Sequence, residues 1–135
     1  MSQDNVELSR QMYEAFNRRD VEGFLAVIDR EAEYVPRTLE MEGGEPYRGH
    51  EGMLRWREEF LRVFPDWTAE PVEVRDLGDL TLTHLHLRGS GGASGAPVDQ
   101  TVWHVAEWRA GKIIRLTSSN GSAAEALEAA GLSEE

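Results

Sequence analysis

The chain has 135 residues, no cysteine and a formal net charge of −11, from 25 acidic and 14 basic residues. This length is typical of one domain with its own core, so we predict a single domain over residues 1–135. The absence of cysteine excludes thiol chemistry, and the acidic balance disfavours nucleic acid and anionic membranes as partners. With no signal-peptide pattern and no apolar stretch of membrane-spanning length, we expect a cytoplasmic protein.

The first third of the chain has a helical period. Apolar residues between Val6 and Arg18 predict an amphipathic helix, and residues 20–30 predict a second, shorter helix with Asp20 as its N-cap. Residues 32–37 then predict a short strand, and the glycine-rich stretch 37–50 predicts a loop. A third helix is predicted over 50–63.

From residue 68 onward, apolar residues recur at every second position. Residues 68–78, 79–89, 96–111 and 112–121 predict four strands, and residues 122–131 predict a short C-terminal helix. Helices followed by a run of antiparallel strands predict an α+β domain.

The element order, together with the stretches YRGHEGMLRWREEF, FPDW, DLGD and WRAGKIIRL, resembles the NTF2-like superfamily, and within it the SnoaL-like and ketosteroid-isomerase-like proteins. The resemblance implies a cone in which three N-terminal helices pack in a curved mixed, mostly antiparallel sheet, with a short C-terminal helix. It also implies an apolar pocket open at one end, and frequent homodimers through the outer sheet face.

The residues of ketosteroid isomerases are not retained under this resemblance. Pro36 falls at the position of their aspartate base, Met12 at their tyrosine and His104 at their late-strand acid. Because proline cannot abstract a proton, the usual isomerase mechanism is excluded. An epoxide hydrolase relay of aspartate and arginine is also disfavoured, because Asp99 and Glu107 have no evident matching set.

Histidines are the most distinctive feature of the predicted sheet. The stretch LTLTHLHLRG places His84 and His86 on one face of a strand. The resemblance turns that face inward, together with Leu82, Arg88, Gln100, Val102, His104, Ala106, Trp108, Leu116, Ser118 and Asn120. With His104 on the adjacent strand, the three imidazoles would share one volume.

Three interpretations of these histidines remain open. They form a neutral, hydrogen-bonded wall, or His84 or His104 is a general acid or base, or the three rings are nitrogen ligands of a metal. The sequence shows no acidic residues that would support histidine ligands of a metal through hydrogen bonds. We therefore predict no metal and no other cofactor. His50 is expected to be a rim or capping residue.

The aromatic residues divide into core and pocket candidates. Phe16, Phe24 and Phe64 are expected in the core. The predicted ligand-binding set is Tyr34, Trp56, Phe60, His86, Val102, Trp108, Leu116, Ser118 and Asn120. Trp103 has the opposite parity to His104, so it is expected on an apolar outer face with Thr81, Thr83, Leu85 and Val105, where a homodimer would form.

These features predict a small-molecule pocket protein for an apolar or carbonyl-containing metabolite. If it is an enzyme, His84 or His104 would move a proton in an isomerisation, cyclisation or dehydration without a cofactor. The alternative is a noncatalytic ligand-binding or dimeric interaction domain with the same pocket.

Overall fold

Four helices and six strands make up the described part of the chain. The computed structural model describes residues 2–35, 46–91, 96–119 and 121–129. The helices are α1 (Ser2–Arg18), α2 (Val21–Ala26), α3 (Gly49–Val63) and α4 (Ala123–Ala129). The strands are β1 (Ile28–Val35), β2 (Tyr47–Arg48), β3 (Thr68–Asp76), β4 (Leu80–Gly91), β5 (Ala96–Arg109) and β6 (Lys112–Ser119). Within the described ranges, no helix combines the length and the apolar character that a membrane crossing requires.

The strands form one sheet in the order β2-β1-β6-β5-β4-β3. Only the pair β1 and β6 is parallel, and every other neighbouring pair is antiparallel. Register shifts interrupt three of the ladders, and such irregularities increase the local bend and twist of a sheet. The predicted α+β class and the mixed, mostly antiparallel sheet are confirmed.

The helices α1 and α3 pack against the concave face of this sheet. Asn17, near the end of α1, forms two hydrogen bonds of 2.9 Å with the backbone of Ala69 in β3. Arg19 donates to the carbonyl oxygens of Pro65 and Trp67, which joins the end of α1 to the segment after α3. These contacts fasten α1 to the sheet and to the segment that follows α3, and residues of both helices and of the sheet form the main core.

The second helix is shorter than its apolar pattern predicts. It ends at Ala26, and the next residues, predicted as helix, belong to β1. The cause is strand pairing, because Ile28 pairs with Ile113 and the Ile113 amide donates to Val27 O. A two-residue strand also lies inside the predicted loop, where Tyr47 pairs with Tyr34. Pro36 lies outside the described residues.

The C-terminal helix α4 covers part of the convex face. Its Ala126 and Leu127 are 0% and 1% exposed, and they form a second, smaller core with Leu82 and Val105 of the sheet. Trp103 packs against the same cluster. Apolar side chains on the outer face are therefore covered within the chain itself.

Replacing Leu127 with alanine is expected to lower the free energy of unfolding by about 2–3 kcal/mol, because it leaves a cavity over Leu82 and Val105. Urea unfolding measures this change. The matched control is Glu128→Ala on the exposed side of the same turn, which is expected to change stability by less than about 0.5 kcal/mol. Equal losses for the two variants would contradict the packing of α4 on the sheet.

The hairpin of β4 and β5 extends beyond its neighbour. Among the described strands, β6 pairs with β5 only between Trp103 and Arg109. Residues 96–102 of β5 therefore have β4 as their one strand partner in the described residues. This overhanging hairpin carries one end of the cavity described next.

Candidate functional site

A cavity of about 500 Å³ lies between α1, α3 and the concave face of the sheet. Its volume lies within the roughly 300–1,000 Å³ that small-molecule sites occupy. Its wall is mostly apolar, and the apolar members are Met12, Phe16, Phe24, Met53, Trp56, Phe60, Phe64, Trp67, Ala69, Leu85, Leu87, Val98, Val102 and Leu116. A ligand here is surrounded by hydrocarbon and aromatic surface.

Aromatic rings form a continuous series along one wall. Trp56 contacts Tyr34 edge to face, with centroids 4.9 Å apart, and stacks on Phe60 at 5.2 Å. Phe60 in turn meets Trp67 edge to face at 5.0 Å. Helical spacing explains this row, because positions 56, 60 and 64 follow one another every four residues along the inner side of α3.

Five polar side chains also line the cavity, namely Tyr13, Tyr34, Gln100, His104 and Ser118. None of the described lining residues is an aspartate, glutamate, lysine or arginine. The described wall therefore contains neither a carboxylate base nor a counter-ion for a charged ligand. An uncharged ligand fits such a wall best.

A tyrosine and a histidine are hydrogen-bonded in this cavity. The hydroxyl oxygen of Tyr13 lies 2.7 Å from Nδ1 of His104, and the two ring centroids are 5.7 Å apart. The ring of Tyr34 approaches His104 edge-on at 6.4 Å. Because α1 supplies Tyr13 and the central strand β5 supplies His104, the rigid packing of α1 on the sheet sets this geometry.

Burial determines the protonation of this pair. Burial lowers the pKa of His104 to about 4, so the imidazole is neutral at neutral pH. Burial, with a smaller contribution from Tyr34, raises the pKa of Tyr13 well above its ordinary value of 10.0, against a lowering interaction with the Thr83 side chain. Burial likewise raises the pKa of Tyr34. Both phenols keep their protons and the site is electrically neutral.

One polar atom of the pair is left for a ligand. Nδ1 of His104 is occupied by Tyr13, whereas Nε2 has no hydrogen-bond partner among the described residues. Nε2 is also not among the fully buried atoms that lack a partner, and the ring lines the cavity. Nε2 is therefore the atom through which this histidine can act on a bound molecule.

Comparison with known proteins agrees with this architecture. Residues 9–116 match the family model of the SnoaL-like domain. The chain belongs to the SnoaL-like family. No curated protein has a significant sequence match to it.

Solved structures resemble this SnoaL-like protein over most of its length. IdmH, a proposed polyketide cyclase from Streptomyces antibioticus, is 27% identical with a TM-score of 0.73, over 84% of this chain and 89% of that chain. An NTF2-like protein of unknown function from Burkholderia pseudomallei is 20% identical with a TM-score of 0.77, over 93% and 95%. A proposed SnoaL-like polyketide cyclase from Jannaschia sp. is 14% identical with a TM-score of 0.76, over 86% and 84%. The predicted SnoaL-like membership and the predicted NTF2-like fold are confirmed.

The predicted direction of the β4 histidines is wrong. Thr83 is the cross-strand partner of His104, so it shares the concave face with His104, while His84 pairs with Trp103 on the convex face. There His84 stacks on Trp103 with centroids 4.3 Å apart. On the same face His86 Nε2 lies 2.5 Å from an Asp99 carboxylate oxygen. The concave positions of β4 are instead Thr81, Thr83, Leu85 and Leu87.

This reversal removes the metal interpretation of the histidines and narrows the acid–base interpretation to His104. His84 is not in the cavity and cannot act on a ligand there. A metal held by all three rings is excluded, because His84 and His86 lie on the opposite side of the sheet from His104. Within the described ranges, no cluster of three or more potential metal-ligating side chains occurs.

Two further members of the predicted pocket set are not among the described lining residues. Trp108 keeps the concave parity of β5, but it is buried in the main core, where its indole Nε1 donates to the Thr81 hydroxyl at 2.9 Å, and it is not among the lining residues. Asn120 lies outside the described residues. The members that do line the cavity are Tyr34, Trp56, Phe60, Val102, His104, Leu116 and Ser118.

Sequence reasoning missed several lining residues. Phe16, Phe24 and Phe64, expected only in the core, border the cavity, as do Leu85 and Leu87. The most important omission is Tyr13, which comes one residue after the position that the resemblance assigned to a tyrosine. Helical spacing could have identified Tyr13, because it lies three residues before Phe16 on α1 and Phe16 also faces inward.

The convex face differs from the apolar surface that was predicted. Thr81, Thr83 and Leu85 face inward and are buried, and α4 covers Val105. His84, His86 and Arg88 occupy much of the remaining surface. The homodimer and the cytoplasmic location stay predictions, and the apolar argument for the dimer no longer holds.

Proposed function

We propose that this SnoaL-like protein binds a small, uncharged, largely aromatic carbonyl compound and catalyses a cofactor-independent isomerisation, cyclisation or dehydration beside that carbonyl. The observation that carries the proposal is the neutral Tyr13–His104 pair in an apolar cavity, with Nε2 of the imidazole available to a ligand. In this proposal His104 is the catalytic residue.

Size, shape and charge of the cavity support this ligand class. The aromatic series of Trp56, Phe60 and Trp67 offers surfaces on which a flat ring stacks or meets edges. The uncharged wall disfavours carboxylates and amines, because a buried ion without a partner is costly. The likeness to IdmH, a proposed polyketide cyclase, supports a carbonyl-bearing aromatic precursor as the substrate.

The chemistry needs one well-placed polar group. Proton movement next to a carbonyl develops negative charge on the carbonyl oxygen, and a positioned imidazole stabilises that oxygen or transfers the proton. Because the wall is mostly apolar, this interaction is stronger than in bulk water. Groups of this kind contribute roughly 10²–10⁴-fold to rate.

A noncatalytic binder is the second candidate. The described wall holds no carboxylate, which is the observation that favours this candidate, since the imidazole of His104, with a pKa of about 4, is a weak base. Binding without proton transfer would identify this alternative.

Exchange of carbonyl-adjacent protons tests the proposal. 2-Acetylnaphthalene is uncharged, aromatic and has exchangeable methyl protons, so NMR in deuterated water measures its enolisation directly. The wild-type protein is expected to accelerate exchange, and His104→Gln is expected to lower that acceleration by about 100-fold or more. The matched control is His84→Gln, which removes an imidazole from the convex face and is expected to leave exchange unchanged.

Two results would decide against catalysis at this site. Full exchange activity in the His104→Gln protein would remove His104 from the mechanism. Binding of the ketone, seen as a change in tryptophan fluorescence, with no accelerated exchange would leave the noncatalytic binder.

A further inference from the structure

The hydrogen bond between Tyr13 and His104 has a direction that the geometry indicates. The bond can form with the phenol donating to Nδ1, or with Nδ1–H donating to the phenol oxygen. Its length of 2.7 Å is typical of a hydroxyl donor, since bonds donated by N–H groups centre near 2.9–3.0 Å. The short distance favours donation from Tyr13.

The neighbouring Thr83 supports the same direction. Thr83 is buried on the concave face of β4 and interacts with Tyr13 in the sense that stabilises negative charge on the phenol oxygen, which is what a donated hydroxyl does. Nδ1 of His104 is the acceptor that the structure places at hydrogen-bond distance from the Tyr13 hydroxyl. With Nδ1–H as the donor instead, the buried phenolic proton would need a different acceptor.

We propose, on the basis of the function proposed above, that Tyr13 is a positioning residue that fixes His104 in the tautomer protonated on Nε2. Tyr13 occupies Nδ1 with its own proton, so a neutral ring must carry its proton on the other nitrogen. The cavity then presents an N–H donor, and not a basic lone pair, at its polar end.

This tautomer determines which ligand group can hydrogen-bond to His104 in the cavity. An N–H donor in an apolar wall matches a ketone or quinone oxygen, and it leaves a ligand's hydroxyl proton without an acceptor at that atom. His104 then acts by stabilising charge on the ligand oxygen, and the carbon-bound proton leaves to a group on the ligand or to water. Tyr13 touches no ligand atom in this role and acts through the orientation of the imidazole.

Long-range proton–nitrogen NMR on the ligand-free, nitrogen-15-labelled protein tests the tautomer. The two ring nitrogens of a neutral histidine have well separated shifts, and the His104 signals are those lost in His104→Gln. At pH 7 we expect Nε2 protonated and Nδ1 unprotonated. His50 is an internal reference, because its Nε2 lies 2.6 Å from the Ile28 carbonyl oxygen, which can only accept.

The variant Tyr13→Phe removes the hydroxyl and keeps the ring. We expect the His104 nitrogens to shift toward a mixture of both tautomers, while the His50 signals stay in place. A protonated Nδ1 in the wild-type spectrum would overturn the inference without any variant. Unchanged His104 shifts in a folded Tyr13→Phe protein would also overturn it.

A ligand pair separates this inference from the proposed function. 2-Acetylnaphthalene is expected to bind about tenfold more tightly than 2-ethylnaphthalene, and the preference is expected to shrink in Tyr13→Phe. If the wild-type tautomer is as expected and neither compound binds, the proposed function fails and the positioning role stands. If the ketone binds and Nδ1 carries the proton, the positioning role fails and the proposed function stands.

Discussion

Replacing Leu85 with alanine is expected to lower the free energy of unfolding by about 2–5 kcal/mol, the range for truncating a buried leucine. Leu85 is 0% exposed at the centre of β4, where it belongs to the main core and borders the cavity, so its truncation removes packing contacts and enlarges the existing void. Chemical denaturation monitored by circular dichroism measures the loss.

The neighbouring residue is the matched control for this variant. His84 lies on the opposite face of the same strand, half-buried against Trp103, so His84→Ala is expected to cost about 1 kcal/mol or less. The comparison therefore reports which side of β4 faces the core. A larger loss for His84→Ala than for Leu85→Ala would mean that His84, and not Leu85, faces the core.

Acidification is expected to destabilise the protein through His104 by up to about 3 kcal/mol, given a folded pKa of about 4 against an ordinary value of 6.5. Between these two values the unfolded chain binds a proton that the folded chain excludes. This contribution to stability is complete above about pH 6.5, falls as the pH decreases toward 4, and is constant below that. The side chains near the ring are Tyr13 and Tyr34, which stay neutral throughout.

Carboxylates elsewhere in this acidic chain also titrate, so the test compares the pH dependence of stability in two proteins. Urea unfolding of the wild type and of His104→Gln at pH 7.5, 6, 5 and 4 gives two curves, and their difference isolates the histidine. The wild type is expected to lose more stability than His104→Gln between pH 6.5 and 4. Parallel curves would show that the imidazole is not sufficiently desolvated to resist protonation.

The periodicity of apolar residues was sufficient to predict the helices and strands. It was not sufficient to predict which residues of β4 lie on the concave side of the sheet. The change of period near residue 68 correctly predicted four strands after the third helix, because each strand alternates. On β4, however, both alternating sets contain leucines, so hydrophobicity did not distinguish the concave face from the convex one. The packing of α1 against Leu85 and of α4 against Leu82 decides it, and neither contact is visible in the local pattern.

Residues of the candidate site were predicted correctly where the sequence pattern placed them on one face only. Trp56 and Phe60 follow from the inner stripe of α3, and His104 follows from the parity of β5. Tyr13 was missed because a helix places two adjacent residues near one cavity, and Met12 occupied the expected position. Trp108 was misplaced because parity predicts the face of β5 but not the position along it: Trp108 lies on the concave side with Thr81, where it packs in the core and does not line the cavity.

The overhang of β5 also bears on how the molecule behaves at high concentration. Free backbone groups along a strand margin invite pairing between molecules, which leads toward fibrils. Here that margin carries Pro97, which lacks an amide proton, and the exposed carboxylate of Asp99. Both residues oppose the addition of a foreign strand at this margin, so we expect the projecting hairpin to resist pairing between molecules.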